Sequence, residues 1–387
     1  MRVVIDGTTE AGRRLLRGVM RYARAHTTWA LLVEMEPARR KGADWAVDEA
    51  VIYASHDAAL LAWIRTRDIP IVSCMAHHEP LGLPTVRSDD YAVGAMAAKY
   101  FIERGFGNFI FDSTGDVSPA AQLRFKGFAD AVAAMGFKAE QHVPETVGTW
   151  INWYDHLTER LAAMPKPVAL FFSHDTIARG GADLIAASGL AVPEQVAILG
   201  VDDDQLQCEI SRPPLSSIAV PYADIGYQAA AVLHSILRGK VPATMSGPVL
   251  FKPTGVVTRQ STDIIAFDEP RLAEALRYMR EHACDPCSVE DVLSHVLVSR
   301  RWLESQFKKR FGRSPHDEIT RIRMEHAKRL LHDPHLSLKW IAERAGYGHV
   351  QNFVSIFRRT SGLTPAAYRR SLQNPTTTTP LEAVSNT

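Results

Sequence analysis

Two clusters of polar residues near the C-terminus have the side-chain types that read nucleic acid. Arg300, Arg301, Glu304, Ser305 and Lys308 form one; Val350, Gln351, Asn352, Ser355, Arg358 and Arg359 form the other. A guanidinium can pair bidentately with guanine, and a carboxamide with adenine. Lys308, Arg358 and Arg359 suit phosphate contact, which supplies affinity without sequence information. An outward placement follows by subtraction. Leu303 and Phe307 in the first cluster, and Phe353 and Phe357 in the second, lie four apart and belong to a buried stripe. A solvated helix face could carry similar charge; what favours DNA is that the cluster occurs twice in register.

The elements that must position these clusters repeat as well. Ser288-Val289-Glu290-Asp291-Val292-Leu293 is followed by Leu303, Phe307, Gly312 and Pro315. Ser337-Leu338-Lys339-Trp340-Ile341-Ala342 is followed by Phe353, Phe357, Gly362 and Pro365, an offset of 49 before the turn and 50 after it. Each copy predicts a short capped helix, a tight turn and a second helix ending at glycine, which is a helix-turn-helix. A helix over 315–332 would hold the two copies at fixed spacing, so that two recognition helices enter successive major grooves about 34 Å apart. A further helix is predicted from Pro270 to about Ala283. The first copy departs from the second at Leu297, which stands where the second has Gly346, with a turn one residue shorter. If that turn needs positive φ, the leucine is strained.

Charge follows the same division. Residues 268–374 carry 19 Lys and Arg against 13 Asp and Glu, whereas residues 1–267 carry 25 against 29. The basic end is the one that phosphate binding requires. At 387 residues the chain is expected to hold two or three domains. Cys284-Asp285-Pro286-Cys287 has the spacing of a metal or redox pair, but only Cys74 and Cys208 accompany it. No metal is therefore expected, and the two thiols read best as a helix end. No leader-like segment opens the sequence and no apolar run approaches a membrane span, so a cytoplasmic protein with no membrane partner is expected.

The first 260 residues alternate apolar runs with amphipathic stretches. Strands are expected at Val3–Ile5, Leu31–Val33, Val51–Tyr53, Ile69–Val72, Phe109–Phe111, Val168–Phe172 and Val196–Leu199. Helical stretches fall at 11–25, 56–67, 90–104, 119–135, 153–164, 175–188 and 222–238. This rhythm predicts an α/β sensor of two lobes, parallel sheets with helices on both faces, followed by an all-α C-terminal domain. Ligands in such sheets sit at the carboxyl ends of strands, so Asp6, Thr8 and Thr9, which follow the first strand, are expected to line a cleft.

Several motifs carry a resemblance. Gly200-Val201-Asp202-Asp203-Asp204, Pro214-Leu215-Ser216-Ser217-Ile218, Gly226 with Ala229, Ser88-Asp89-Asp90-Tyr91, Arg124 with Gly127-Phe128, Ser173-His174-Asp175 and Thr258-Arg259-Gln260-Ser261 together resemble the LacI/GalR sugar-sensing regulators over about residues 1–262. The resemblance implies the two-lobed fold of periplasmic sugar-binding proteins. Matched onto its pattern, Arg124, Asp175 and Asp202 become sugar-binding candidates, because buried hydroxyls need paired donors and acceptors. Each has a plainer reading: a surface ion pair for Arg124, a helix N-cap for Asp175, a turn cap for Asp202. An aromatic platform for the sugar is expected from Trp150, Trp153 or Phe172. LacI-type proteins begin with a DNA-binding headpiece, which is not found here.

Over about residues 270–371 the tandem repeat resembles the AraC/XylS DNA-binding domain, chiefly through Ile341-Ala342, Gly346-Tyr347, Phe353, Phe357-Arg358-Arg359, Gly362-Leu363-Thr364-Pro365 and Tyr368-Arg369. The expected organisation is a sensor at 1–262, a linker at 263–269, a reader at 270–371 and a disordered tail at 372–387. A LacI-like sensor joined to an AraC-type reader is similar to the xylose-operon regulators. That resemblance implies a sugar effector, D-xylose, with no other cofactor, and transcription activation. It further implies a homodimer on double-stranded DNA with direct-repeat half-sites, and contact with RNA polymerase. The competing classes are a regulator sensing another sugar, an alkyl-transfer enzyme fused to a reader, and a pure sugar-binding protein. No nucleophile elbow or phosphate loop supports a catalytic site.

Overall fold

The computed structural model describes residues 1–35, 50–55, 58–66, 68–77, 81–142, 150–239, 247–264, 266, 269–331, 333 and 336–373. The chain divides into two compact units. The first holds Met1–Ile102 and Phe106–Ile264, and the second holds Glu103–Gly105 and the residues from Ile265 onward.

The described residues of the first unit form two large sheets and a two-stranded one, with their helices. β1 (Arg2–Ile5), β2 (Leu32–Glu34), β3 (Val51–Ala54) and β4 (Ile71–Ser73) form a parallel sheet in the order β2-β1-β3-β4. β6 (Asn108–Asp112), β7 (Ala139–His142), β8 (Val168–Phe172), β9 (Val196–Val201), β10 (Ser216–Ala219) and β12 (Gly255–Val257) form the other, in the order β12-β10-β9-β8-β6-β7. It is parallel except for β12, which runs antiparallel to β10. β5 (Val86–Ser88) pairs in parallel with β11 (Val249–Phe251). Every residue of β8 and β9 is buried, as expected of central parallel strands covered on both faces. The polar strand β7, Ala-Glu-Gln-His, sits at a sheet edge and escaped the periodicity reading for that reason.

Two helix pairs pack closely in this unit. α1 (Glu10–His26) lies against α8 (Tyr222–Leu237), and α3 (Asp90–Ile102) against α4 (Pro119–Ala133). Both crossings use reciprocal glycines. A Cβ at Gly18 would fall 1.9 Å from the Ala223 carbonyl oxygen and one at Gly226 2.0 Å from that of Leu15; in the other pair, Gly94 would meet Arg124 O at 1.9 Å and Gly127 Tyr91 O at 2.0 Å. No side chain fits where the backbones touch. The remaining helices are α2 (Ala58–Ile64), α5 (Trp150–Ala163), α6 (Asp175–Ala187) and α7 (Gln205–Ile210).

The second unit is helical: α9 (Pro270–His282), α10 (Val289–Val296), α11 (Arg300–Phe311), α12 (Pro315–Leu331), α13 (Leu338–Arg344), α14 (Val350–Ser361) and α15 (Pro365–Gln373). It has two small cores. Leu276, Met279, Val292, Leu303, Phe307 and Ile319 belong to one, and Met324, Leu331, Ile341, Phe353 and Phe357 to the other. α12 contributes to both, so it ties the two helix-turn-helix copies into one body. Near its start Glu318, 3% exposed, is held between Arg313 and Arg321 at 2.6 Å each. Burial disfavours this carboxylate, but the two guanidiniums keep it below the usual range. No described helix is long and apolar enough to cross a membrane.

Candidate functional site

The carboxyl ends of β1, β6, β8 and β9 carry the polar residues of the first unit. Two of these strand ends leave normal backbone space: Thr114 has φ 49°, Asp202 φ 106° and Asp203 φ 50°. Non-glycine residues adopt such angles at a cost, and they concentrate where function requires them.

Arg124, 7% exposed, is the hub. Its Nε and Nη2 both lie 3.0 Å from Asp90 Oδ1, Nη1 donates to the Ser173 carbonyl, and Nη2 stands 4.0 Å from Asp202 Oδ1. The Asp202 carboxylate also accepts from the Tyr222 hydroxyl at 2.6 Å. Burial works against the Arg124 charge, yet Asp90, then Tyr222 and Asp202, hold it firmly protonated. Burial raises Asp202 above the ordinary carboxylate range, with Arg124 and Tyr222 pulling it back. Burial depresses His174, which keeps its ring neutral beside this group. Arg124 is thus a buried ion-pair centre and not a surface one. Asp90 entered the sequence reading only within the Ser88–Tyr91 motif and Tyr222 not at all, and neither was read as a site residue; both stand at helix starts, where an acidic or aromatic residue has ordinary local explanations.

At the β1 end, Asp6 and Thr8 are exposed, and Asp6 Oδ1 accepts from Thr8 N at 2.9 Å and Thr8 Oγ1 at 2.5 Å. Thr9 caps α1 by accepting from Gly12 N. Asp6 and Thr8 are therefore available to a ligand, whereas Thr9 serves the helix. At the β6 end, Asp112 binds His142 Nδ1 at 2.6 Å and accepts from Thr114 N and Oγ1. Sequence reasoning did not find this pair.

Asp175 departs from expectation. It is 1% exposed, and its Oδ2 accepts from Asp204 N at 2.8 Å and faces the Cys208 thiol at 3.5 Å. Its Oδ1 lies where a Cβ on Gly200 would be, 2.1 Å away. The carboxylate has turned into the gap that Gly200 leaves open and holds the β9–α7 turn through Asp204 N. It is not the N-cap; that position is His174. Phe172 is fully buried in the core and presents no platform, and the side chains of Trp150 and Trp153 lie outside the described residues.

Two further arginines grip the strained turn. Arg14 on α1 donates to Asp202 O at 3.1 Å and Asp203 O at 2.7 Å, and is steadied by Glu10. Arg259 donates to the Asp203 carboxylate at 2.8 Å and to Leu215 O at 2.9 Å.

In the second unit, Ser288 and Asp291 form a capping box on α10, Ser299 caps α11 and Ser337 caps α13. Arg300, Arg301, Glu304, Ser305 and Lys308 are exposed on α11; Gln351, Asn352, Ser355, Arg358 and Arg359 are exposed on α14. Val350 is not outward: it is half-buried against the second core. Arg300 is paired with Glu290 and, at 3.5 Å, with Glu304, so Arg301 is the less encumbered guanidinium of that helix. Leu297 has φ 52°, the left-handed value that its counterpart Gly346 takes at 78°. Arg323 fastens the loop that carries the two thiols by donating to the carbonyls of Ala283, Asp285 and Cys287, and no metal-ligand cluster occurs among the described residues.

Comparison with known proteins assigns both units. Residues 98–262 match the periplasmic binding protein-like domain, and residues 293–371 match a helix-turn-helix domain. The xylose operon regulatory protein of Escherichia coli K12 is 30% identical over 369 residues, covering 92% of this chain and 93% of that protein. The protein of the same name from Haemophilus influenzae is 30% identical over 291 residues, 74% of each. The solved structure of a xylose-binding transcription activator superposes with a TM-score of 0.60 at 27% identity, covering 95% of this chain and 97% of that one.

Proposed function

The chain belongs to the family of xylose operon regulatory proteins, and from that premise we propose that it is an activator whose DNA binding responds to D-xylose. It is a transcription regulator with a sugar-sensing unit and a helix-turn-helix unit, and no catalytic role is assigned. The observation that carries the effector is the identity of 30% running through 92% of the chain, across both units in the same order.

Under this reading Asp202, Arg124 and Asp6, with Thr8, supply acceptors and donors to the sugar hydroxyls, and Thr9 and Asp175 hold the turns that bear them. Arg301, Gln351 and Asn352 read base edges. Lys308, Arg358 and Arg359 contact phosphate, and Arg300, Glu304 and Ser305 complete the first face. The protein acts in the cytoplasm as a homodimer on direct-repeat half-sites and contacts RNA polymerase. Sugar favours the closed arrangement of the two sensor lobes, and it shifts the equilibrium only by its differential affinity for the two states. Sugar and operator affinities are therefore reciprocally coupled.

The test is fluorescence anisotropy on DNA from upstream of neighbouring sugar-utilisation genes, titrated with and without D-xylose. Tighter or re-spaced binding with D-xylose supports the reading. Specific binding that ignores D-xylose but answers another pentose or hexose replaces the effector. Operator affinity, spacing and bending unchanged by any sugar overturn it.

A further inference from the structure

Resting on the sugar-responsive reading above, we propose that Arg259 is the positioning residue through which the state of the cleft reaches the junction with the DNA-binding unit. The Asp202–Asp203 turn holds two successive residues at positive φ, a conformation that persists only while its surroundings impose it. On one face of the turn Asp202 meets Tyr222 and Arg124, and the proposed function gives Asp202 and Arg124 to the sugar. On the other is Arg259, through Asp203.

Arg259 opens the last stretch of the first unit, a 3-10 helix over Gln260–Thr262, and hydroxyls anchor that stretch. Ser216 Oγ accepts from Arg259 N at 2.7 Å and donates to Arg259 O at 2.9 Å. Thr262 Oγ1 donates to Ser216 Oγ at 2.7 Å and meets the Tyr100 hydroxyl at 2.6 Å. Ser261 Oγ accepts from Ser216 N and donates to Ile198 O at 2.6 Å. Ser216, Ser261 and Thr262 are all fully buried. A buried hydroxyl network of this kind is rigid, since breaking one bond strands another group without water. A change in the turn therefore moves Arg259 and, with it, the segment that leads into the reader. Arg14, gripping the same turn's carbonyls from α1, brings the other lobe onto that path.

The test measures two quantities on the full chain: sugar affinity by calorimetry, and the ratio of operator Kd without sugar to that with it. In Arg259→Gln and in Asp203→Asn, sugar Kd is expected to stay within about threefold of wild type while the ratio collapses towards one. The double variant should lose no more than either single one, because both break one link. Arg259→Lys should retain part of the ratio. A residue that only stabilised the fold would lower the melting temperature and leave the ratio intact, and that result overturns the proposal, as does loss of sugar binding in Asp203→Asn. If the wild type itself answers no sugar, the functional reading fails and this proposal falls with it; a responsive wild type with an equally responsive Arg259→Gln overturns the proposal alone.

Discussion

Leu297 and Gly346 fill equivalent turns of the two helix-turn-helix copies, at φ 52° and 78°, and exchanging their chemistry should have unequal effects. The left-handed region costs a side chain about 1–2 kcal/mol. Leu297→Gly removes that strain, while the freer unfolded chain takes back about 0.4–1 kcal/mol. Leu297 is 80% exposed, so little buried area is lost. The net expectation is a gain of about 0.5–1 kcal/mol. Gly346→Ala runs the other way. It takes on the left-handed strain, and its Cβ would stand 3.0 Å from each of Ala283 O, Cys284 O and Arg323 Nε. These neighbours yield poorly, because Arg323 is itself bonded to Ala283 O and Cys287 O. Crowding of this kind adds about 1–3 kcal/mol, and the stiffer unfolded chain returns about 0.4–1, for a net loss of about 1–4 kcal/mol. A chain of two units need not unfold in one step. The assay is therefore hydrogen exchange by mass spectrometry in increasing urea, read on peptides covering α10–α11 and α13–α14 separately. A Gly346→Ala protein as protected as wild type, or a Leu297→Gly protein that loses more than about 1 kcal/mol, would refute the reasoning.

Other consequences can be checked alongside. Arg124→Met leaves the buried Asp90 only Ser88 Oγ at 2.9 Å and Arg87 at 3.5 Å and should cost about 3 kcal/mol by denaturant titration of the sensor, with Asp90→Asn in the same chain recovering part of it; equal instability of single and double variants would count against the ion-pair account. Burial raises Asp175 well above the ordinary carboxylate value, so it binds a proton in the folded state that the unfolded chain releases. Its stabilising effect is complete below the unfolded value of 3.8 and is lost as pH rises through the folded one. Asp175→Asn should therefore flatten the decline in stability as pH rises above the unfolded value of 3.8, and an unchanged pH profile would remove this assignment. On operator DNA, Asn352→Ala and Arg301→Ala should each cost about 1–3 kcal/mol and relax the preference at one base pair. Arg358→Ala should weaken all sequences alike and lower the salt slope by about one. A uniform loss from Asn352→Ala would move that residue to the phosphate class.

The reader was legible because its two cores are local. Phe353 and Phe357, four apart between Gly346 and Gly362, announce a helix, its buried face and both ends within seventeen residues. The left-handed turn at Leu297 could likewise be anticipated by aligning one copy on the other. The sensor site was less open to such reading. Arg124, Asp90, Asp202 and Tyr222 come from four separate elements, and nothing in the residues around Asp90 or Tyr222 distinguishes a hub partner from a helix start. The direction of Asp175 depends on Gly200, twenty-five positions away, having no side chain. Val350 was placed outward by counting, but as the first residue of its helix it folds back against the core.

The distribution of charge at the strand ends also carries a chemical veto. The carboxylates of Asp6, Asp112 and Asp202 stand at the ends of β1, β6 and β9, while Arg14, Arg124 and Arg259 are already bonded to Glu10, Asp90, Asp203 and main-chain carbonyls. A polyol brings hydroxyl protons to such acceptors. A sugar phosphate or aldonic acid brings a second negative charge and finds its natural counter-ions occupied, which leaves repulsion and desolvation uncompensated. Under the proposed function, such a site would favour a neutral polyol over its phosphate ester.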